Sequence, residues 1–333
     1  MTYTWAFGDG GRGGSSSVAH IFMAAGSFEV RLTVTDPSGS SNSMAKTITV
    51  SSRTVAAGAA VGVAGTVLDV SGAVLPGAKV ELVGGAVTGS SDAAGKVALS
   101  LATNVAHTLR ITKAGYSDQY RVLELPGSAS SGFFEARLTQ RGASQTLDAG
   151  AGGSLSSTDG AKLTLPADSL VDATGKAVGG AVSISLTPID VTDSAKVAGF
   201  PGAFAGITAS GSSSPIVSFG TTEFALAQGD MRLNLAPGKS ATIELPIYAA
   251  LNLDGSSVKV GDTQPLWSLD ERNGLWVQEG SGVVVASTAS PSRLALRGVV
   301  AHFSWWNTDI GFDPSHPKPR CGPDDSRRGQ LFC

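Results

Sequence analysis

Apolar side chains recur at every second position in short runs along most of this chain, and glycine, proline, serine and aspartate separate the runs. Tyr3, Trp5 and Phe7 share one face of a predicted strand. Phe28, Val30, Leu32 and Val34 do the same within residues 26–36, and 45–50 read as a further strand. Between these runs lie Gly8-Asp9-Gly10 and Asp36-Pro37-Ser38-Gly39, where glycine supplies positive φ and aspartate caps backbone amides. The same alternation continues through Val61, Val63 and Val67, then Val80 and Leu82, Val97 to Leu101, 107–113, 120–125 and 134–138. Beyond these, strands are predicted at 161–166, 182–189, 216–224, 231–235, 241–247, 265–270, 275–278 and 282–286, with one continuous strand at 294–306. No long stretch carries the i, i+3, i+4, i+7 spacing of an amphipathic helix.

The pattern predicts an all-β chain with little helix, arranged as three tandem β-sandwich modules. The expected spans are 1–52, 56–141 and 142–313, followed by an extended tail at 314–333. Gly150-Ala151-Gly152-Gly153 is glycine-rich, but no helix pattern follows it, so a phosphate-cradling loop is not expected and a flexible joint is.

Composition narrows the function. A hydrophobic fraction of 42% over 333 residues suffices for packed cores. Lys and Arg number 24 against 27 Asp and Glu, with no basic stripe, which disfavours nucleic acid as a partner. No apolar run reaches the length of a membrane span, and no secretory leader precedes the first strand pattern. The two cysteines, Cys321 and Cys333, lack the neighbours a structural zinc would need. They fit either a disulfide closing a small terminal loop in an oxidising compartment or two free thiols.

Three resemblances attach to these runs. Trp5, Phe7-Gly8-Asp9-Gly10, His20-Ile21-Phe22, Gly26-Ser27-Phe28 and Leu32-Thr33-Val34-Thr35-Asp36 resemble the polycystic-kidney-disease (PKD) repeat, which implies an immunoglobulin-like sandwich. Ala6 stands where that family usually has Asp, and the family's first strands are absent, so the chain is expected to be a fragment beginning inside a domain. The run 63–67, Gly72, Leu75-Pro76-Gly77-Ala78-Lys79-Val80, Asp92, Gly95 and Lys113-Ala114-Gly115-Tyr116 is similar to the carboxypeptidase regulatory-like domain. That resemblance implies a transthyretin-like sandwich, classed with carbohydrate-binding folds, that acts as a spacer or binding module. Residues 163–170, 267–276 and His302-Phe303-Ser304-Trp305-Trp306 together resemble the β-sandwich of zonula occludens protein, netrin receptors and ankyrins.

Few residues are candidates for chemistry. Asp9 fits a calcium ligand or a turn cap; few other acids cluster near it, and the cap is the expected role. His20 fits a packed strand residue. Tyr116 and Tyr120 would either stack on a sugar or pack at a sheet end, and Trp267 with Trp276 would form a sugar platform or a packed hairpin. His302-Phe303-Ser304 matches the tripeptide at which some relatives of the third resemblance cut themselves. There Ser304 would attack the Phe303 carbonyl with His302 as base, and the resulting ester would hydrolyse. The ordinary alternative is a strand ending with His302 hydrogen-bonded and Ser304 solvated.

The expected function is therefore a non-catalytic, cell-surface or secreted modular protein, without cofactor or metal. It would bind an extracellular protein or polysaccharide, or act as a spacer. Self-processing between Phe303 and Ser304, and an accessory region of a larger secreted hydrolase, are the alternatives.

Overall fold

The structure, a computed structural model, describes residues 2–9, 12–13, 22, 26–50, 56–252 and 255–311. His20, Cys321, Cys333 and the tail at 314–333 lie outside the described residues. Among the described residues the regular structure is nearly all β, in several sheets, with a single helical turn.

The first module contributes one four-stranded sheet in the order β2-β1-β3-β4, from β1 (Thr2–Ala6), β2 (Arg12–Gly13), β3 (Gly26–Thr35) and β4 (Ser41–Val50). The alternating aromatics share a face as their spacing requires. Trp5 stacks parallel to Phe7 at 6.2 Å, Phe22 stacks on Phe28 at 4.6 Å, and Phe7 meets Phe22 edge-on.

The second module comprises β5 (Ala60–Asp69), β6 (Lys79–Leu82), β7 (Thr88–Ser90), β8 (Lys96–Ala102), β9 (Val105–Thr112), β10 (Gln119–Leu125) and β11 (Ser131–Leu138). They form two sheets, β10-β9-β6-β7 and β11-β5-β8, with β11 parallel to β5. Their inner faces enclose Val63, Val67, Val80, Val97, Leu99, Leu101, Leu109, Ile111, Phe134 and Leu138. Burial alternates residue by residue along β8 and β9, so period-two patterning is what closes this core.

The third module begins with β12 (Gln145–Asp148), β13 (Gly153–Ser156), β14 (Lys162–Leu165), β15 (Leu170–Val171) and β16 (Ala181–Ile189). A single helical turn follows, α1 (Ser194–Val197), where Asp193 caps the amides of Ala195 and Lys196. The module continues through β17 (Ala205–Ile207), β18 (Ser213–Gln228), β19 (Met231–Arg232), β20 (Asn234–Leu235), β21 (Ala241–Pro246), β22 (Thr263–Asp270), β23 (Leu275–Ala286), β24 (Leu294–Val300) and β25 (Trp305–Gly311). Its main sheet runs β12-β16-β18-β25-β22-β23-β24-β21-β14-β13, with β17 and β19 attached beside β18, while β15 pairs with β20. The sheet folds over on itself around a core that includes Ile184, Phe224, Ile243, Val284 and Leu296.

Three local expectations change. Residues 294–306 are two strands, interrupted at 301–304, because side chains capture the backbone there. Residues 275–286 are one strand that continues through Gly280-Ser281-Gly282. The glycine-rich segment at 150–153 is a tight turn leading into β13. A Cβ at Gly152 would lie 2.5 Å from the Leu165 carbonyl oxygen, so the backbone is packed there and does not form an open joint.

The second and third modules are in direct contact. Tyr120 of β10 is 1% exposed and sits in a cluster with Phe200, Trp267, Leu269, Trp276 and Trp305 of the third module.

Candidate functional site

The break at 301–304 lies on a cleft of about 1220 Å³, bordered by the end of the β22–β23 hairpin, the loop after β17, and residues 232–234. Three sequence patches far apart along the chain meet around it: β15 through its partner β20, the hairpin, and the 302–306 segment.

A β-bulge places one of the cleft's carboxylates, Glu279. Leu266 pairs with Gly280 and Trp267 with Gln278, leaving Glu279 as the extra residue on β23. A bulge bends the strand and re-aims the side chain of the inserted residue. Glu279 thereby meets His302, whose Nε2 lies 3.0 and 3.1 Å from its two carboxylate oxygens, and the Ser268 hydroxyl donates to it at 2.6 Å. Burial opposes the charge on Glu279, but the hydrogen bonds and charge of His302, together with Ser268, hold its pKa below the ordinary value. The His302 ring lies 5.0 Å from that of Trp306, tilted by 38°.

The peptide between Phe303 and Ser304 is fixed on several sides. Asn234 accepts from the Phe303 amide at 2.7 Å and its Nδ2 donates to the Phe303 carbonyl at 3.3 Å. The indole of Trp306 donates to the His302 carbonyl, and the Phe224 amide to that of Ser304. Phe303 is buried in the main core. Ser304 is 5% exposed, and its hydroxyl donates to the Leu269 and Trp305 carbonyls. The residues of the tripeptide thus share one segment, yet the ring nitrogen of His302 hydrogen-bonds to Glu279 and the Ser304 hydroxyl to main-chain oxygens. The arrangement can polarise the Phe303 carbonyl through Asn234. The Ser304 hydroxyl itself is turned away from a molecule in the cleft.

Arg232 and Glu271 form a bidentate pair on another side, and Arg272 pairs with Asp270 in the hairpin turn. Burial opposes the charge on Glu271 too, yet Arg232 holds its pKa below the usual range. Asp9 is exposed and borders the cleft after Gly8, which adopts a positive φ of 77°. Among the described residues no group of three or more His, Cys, Asp or Glu is placed to hold a metal ion.

The aromatic candidates lie elsewhere. Trp267 and Trp276 are 1% and 0% exposed, and Trp267 Nε1 donates to the Asp309 carbonyl at 3.0 Å. Tyr120 is buried with them, and burial raises the pKa of its hydroxyl. Tyr116 is half-buried against the second module's core. Stacking on a sugar needs an open ring face. Tyr120, Trp267 and Trp276 offer none here, so packing is the role their burial fits.

Sequence reasoning missed Glu279, Asn234 and Ser268. The glycines after Glu279 were a signal for a bulge. Nothing local in Asn234 announces a partner 69 residues away.

Comparison with known proteins locates two of the modules. Residues 1–51 match the family model of the PKD domain, and residues 62–139 match that of the carboxypeptidase regulatory-like domain. The chain is 29% identical over 175 residues to mouse (Mus musculus) cartilage intermediate layer protein 2. That alignment covers 50% of this chain and 14% of the relative, so the chain spans a small part of that protein's length. No helix among the described residues is long and apolar enough to cross a membrane.

Proposed function

We propose that this chain is a non-catalytic segment of a modular extracellular protein, serving as a stiff structural and protein-binding tandem, with a third module of the zonula-occludens, netrin-receptor and ankyrin type. The observation that carries this reading is how the potentially reactive and sugar-stacking side chains are placed. Three of the four ring candidates are buried, and Arg232, Arg272 and His302 of the cleft are each paired with a carboxylate within the chain. The PKD and carboxypeptidase regulatory-like matches, and the similarity to a cartilage protein, support an extracellular setting. Such interfaces draw on shape and on exposed polar and apolar surface more than on a reactive pocket. The test is biolayer interferometry of the whole chain against immobilised matrix proteins and a polysaccharide panel. Saturable binding to protein without polysaccharide is expected. Saturable polysaccharide binding, or chemical turnover of any panel member, would overturn the reading.

A second reading, self-processing between Phe303 and Ser304, is favoured by the Asn234 amide on the Phe303 carbonyl. The Ser304 hydroxyl would attack that carbon, the C–N bond would break to give an ester and a free Ser304 amine, and water would then release the Phe303 carboxylate. Because β25 pairs with β18 and β22, the two pieces would stay together until denatured. Intact mass under denaturing conditions decides. A fragment beginning at Ser304, abolished by Ser304→Ala, supports processing, and an uncut chain after prolonged incubation refutes it.

A further inference from the structure

We propose that the second and third modules are one cooperative folding unit, because the third module's aromatic core is completed by a side chain of the second. The inference stands independently of the functional reading above.

The third module has two cores. One lies between its own strands. The other, containing Phe200, Trp267, Leu269, Trp276 and Trp305, has Tyr120 of β10 as a member. Without that ring the cluster would lose the contacts of a fully buried aromatic and leave either a cavity or an apolar surface. Tyr120 also lies close enough to Glu271 to help lower its pKa, beside the Arg232–Glu271 pair.

Backbone and charge close the junction around this ring. The amide of Gly202 donates to the Tyr120 carbonyl, the Trp305 indole to the Asp118 carbonyl, and Arg121 to the Ala198 and Phe200 carbonyls. Glu223 of β18 is almost wholly buried, and its carboxylate is held by residues that precede β12. The Ser117 hydroxyl donates to it at 2.7 Å, the Asp118 amide at 3.3 Å, and the Arg141 guanidinium at 3.1 and 3.3 Å. Asp118 in turn receives Arg110 and Arg141, which balances two cations against two carboxylates. A carboxylate this buried is tolerable only with such partners, so separating the modules would expose the aromatic cluster and strip Glu223 of its ligands together.

The surfaces approach too closely for a hinge. A Cβ at Gly274 would lie 2.7 Å from Val122, and one at Gly199 would lie 2.3 Å from the Thr139 hydroxyl and 2.8 Å from Val70. Interdomain motion is the default where interfaces are small and polar. This one contains a shared core and a charge-balanced, partly buried ion cluster around Glu223.

All five tryptophans lie outside the second module, at 5, 267, 276, 305 and 306. In a Trp5→Phe chain, tryptophan emission therefore reports the third module alone. Val80 is fully buried in the second module's own core, with no membership in the shared cluster. Val80→Ala in that chain should lower the tryptophan-detected melting temperature by about 4 °C or more, in step with the loss of far-ultraviolet circular dichroism. An unchanged tryptophan melt, with an earlier separate transition by circular dichroism, would overturn the proposal. If the variant accumulates too poorly to melt, native-state hydrogen exchange on the unsubstituted chain decides. The slowest amides of β9 and of β22 should share one opening free energy and one denaturant dependence, and clearly different values would overturn it.

Discussion

Arg141→Met removes the main cation facing Glu223 while retaining most of the arginine's aliphatic length. At 3.1 Å, with an effective dielectric of about 20, a unit ion pair attracts by about 5 kcal/mol. Arg141 is 31% exposed and shares its charge with Asp118, so solvent and the second partner reduce that figure. Glu223 remains buried after the change, and its desolvation is no longer offset. The expected loss is about 3 kcal/mol at about pH 8, within the range for breaking a buried pair. Its pH dependence has a definite sign. Burial raises the pKa of Glu223 in the fold, and Arg141 opposes that rise. A carboxyl with a raised folded pKa contributes most to stability below its unfolded value and loses that contribution as pH climbs through the folded one. Without Arg141 the folded pKa rises further, so the penalty relative to the parent chain grows as pH climbs past the parent's own raised folded pKa, and it shrinks in acid, where the carboxyl is protonated in both chains. Urea unfolding followed by tryptophan emission at about pH 5 and pH 8 measures both values. A loss below about 1 kcal/mol at the higher pH, or equal losses at both, would refute this account of the junction.

Asp309 is fully buried, Oδ2 accepts from the Asn307 amide, and burial raises its pKa well above the carboxylate norm. Asp309→Asn should therefore stabilise the chain, by an amount growing at up to about 1.4 kcal/mol per pH unit between about pH 4 and the folded pKa; a variant less stable than the parent at neutral pH, by urea titration, would contradict this. Gly220 stands at the irregularity in the β18–β25 pairing, and a Cβ there would lie 2.2 Å from the Pro246 carbonyl oxygen. Gly220→Ala should cost about 3 kcal/mol or more, since backbone cannot swing aside as a side chain does, and an unchanged melting temperature would show that the bulge relaxes. Asn234→Ala removes both side-chain contacts to Phe303. It should raise amide exchange at Phe303 at least tenfold while leaving β16 unaffected, and unaltered exchange would mean that packing alone holds the break.

Much of the architecture was legible because burial follows period two. Val97, Leu99 and Leu101 alternate inward along β8, and Val182, Ile184 and Leu186 along β16, as their spacing demands. The departures arise where a distant group overrides the local pattern. Residues 294–306 alternate well enough to read as one strand, but Asn234 and Trp306 take main-chain groups at 302–303 and turn the chain. Glu223, between Thr222 and Phe224 in a strand, reads as an ordinary polar position. Its burial depends on Ser117 and Arg141, which are 106 and 82 residues away. Tyr120 reads equally as a half-buried sheet-end ring, and only the third module's tryptophans decide its environment.

Iodide quenching of tryptophan emission in the Trp5→Phe chain, with and without a polysaccharide mixture, tests the central placement most directly. Trp267, Trp276, Trp305 and Trp306 are each 2% exposed or less, so blue-shifted emission, weak quenching and no polysaccharide effect are expected. Red-shifted, strongly quenched emission that polysaccharide protects would mean that these rings form an open sugar platform, and the scaffold account would fail.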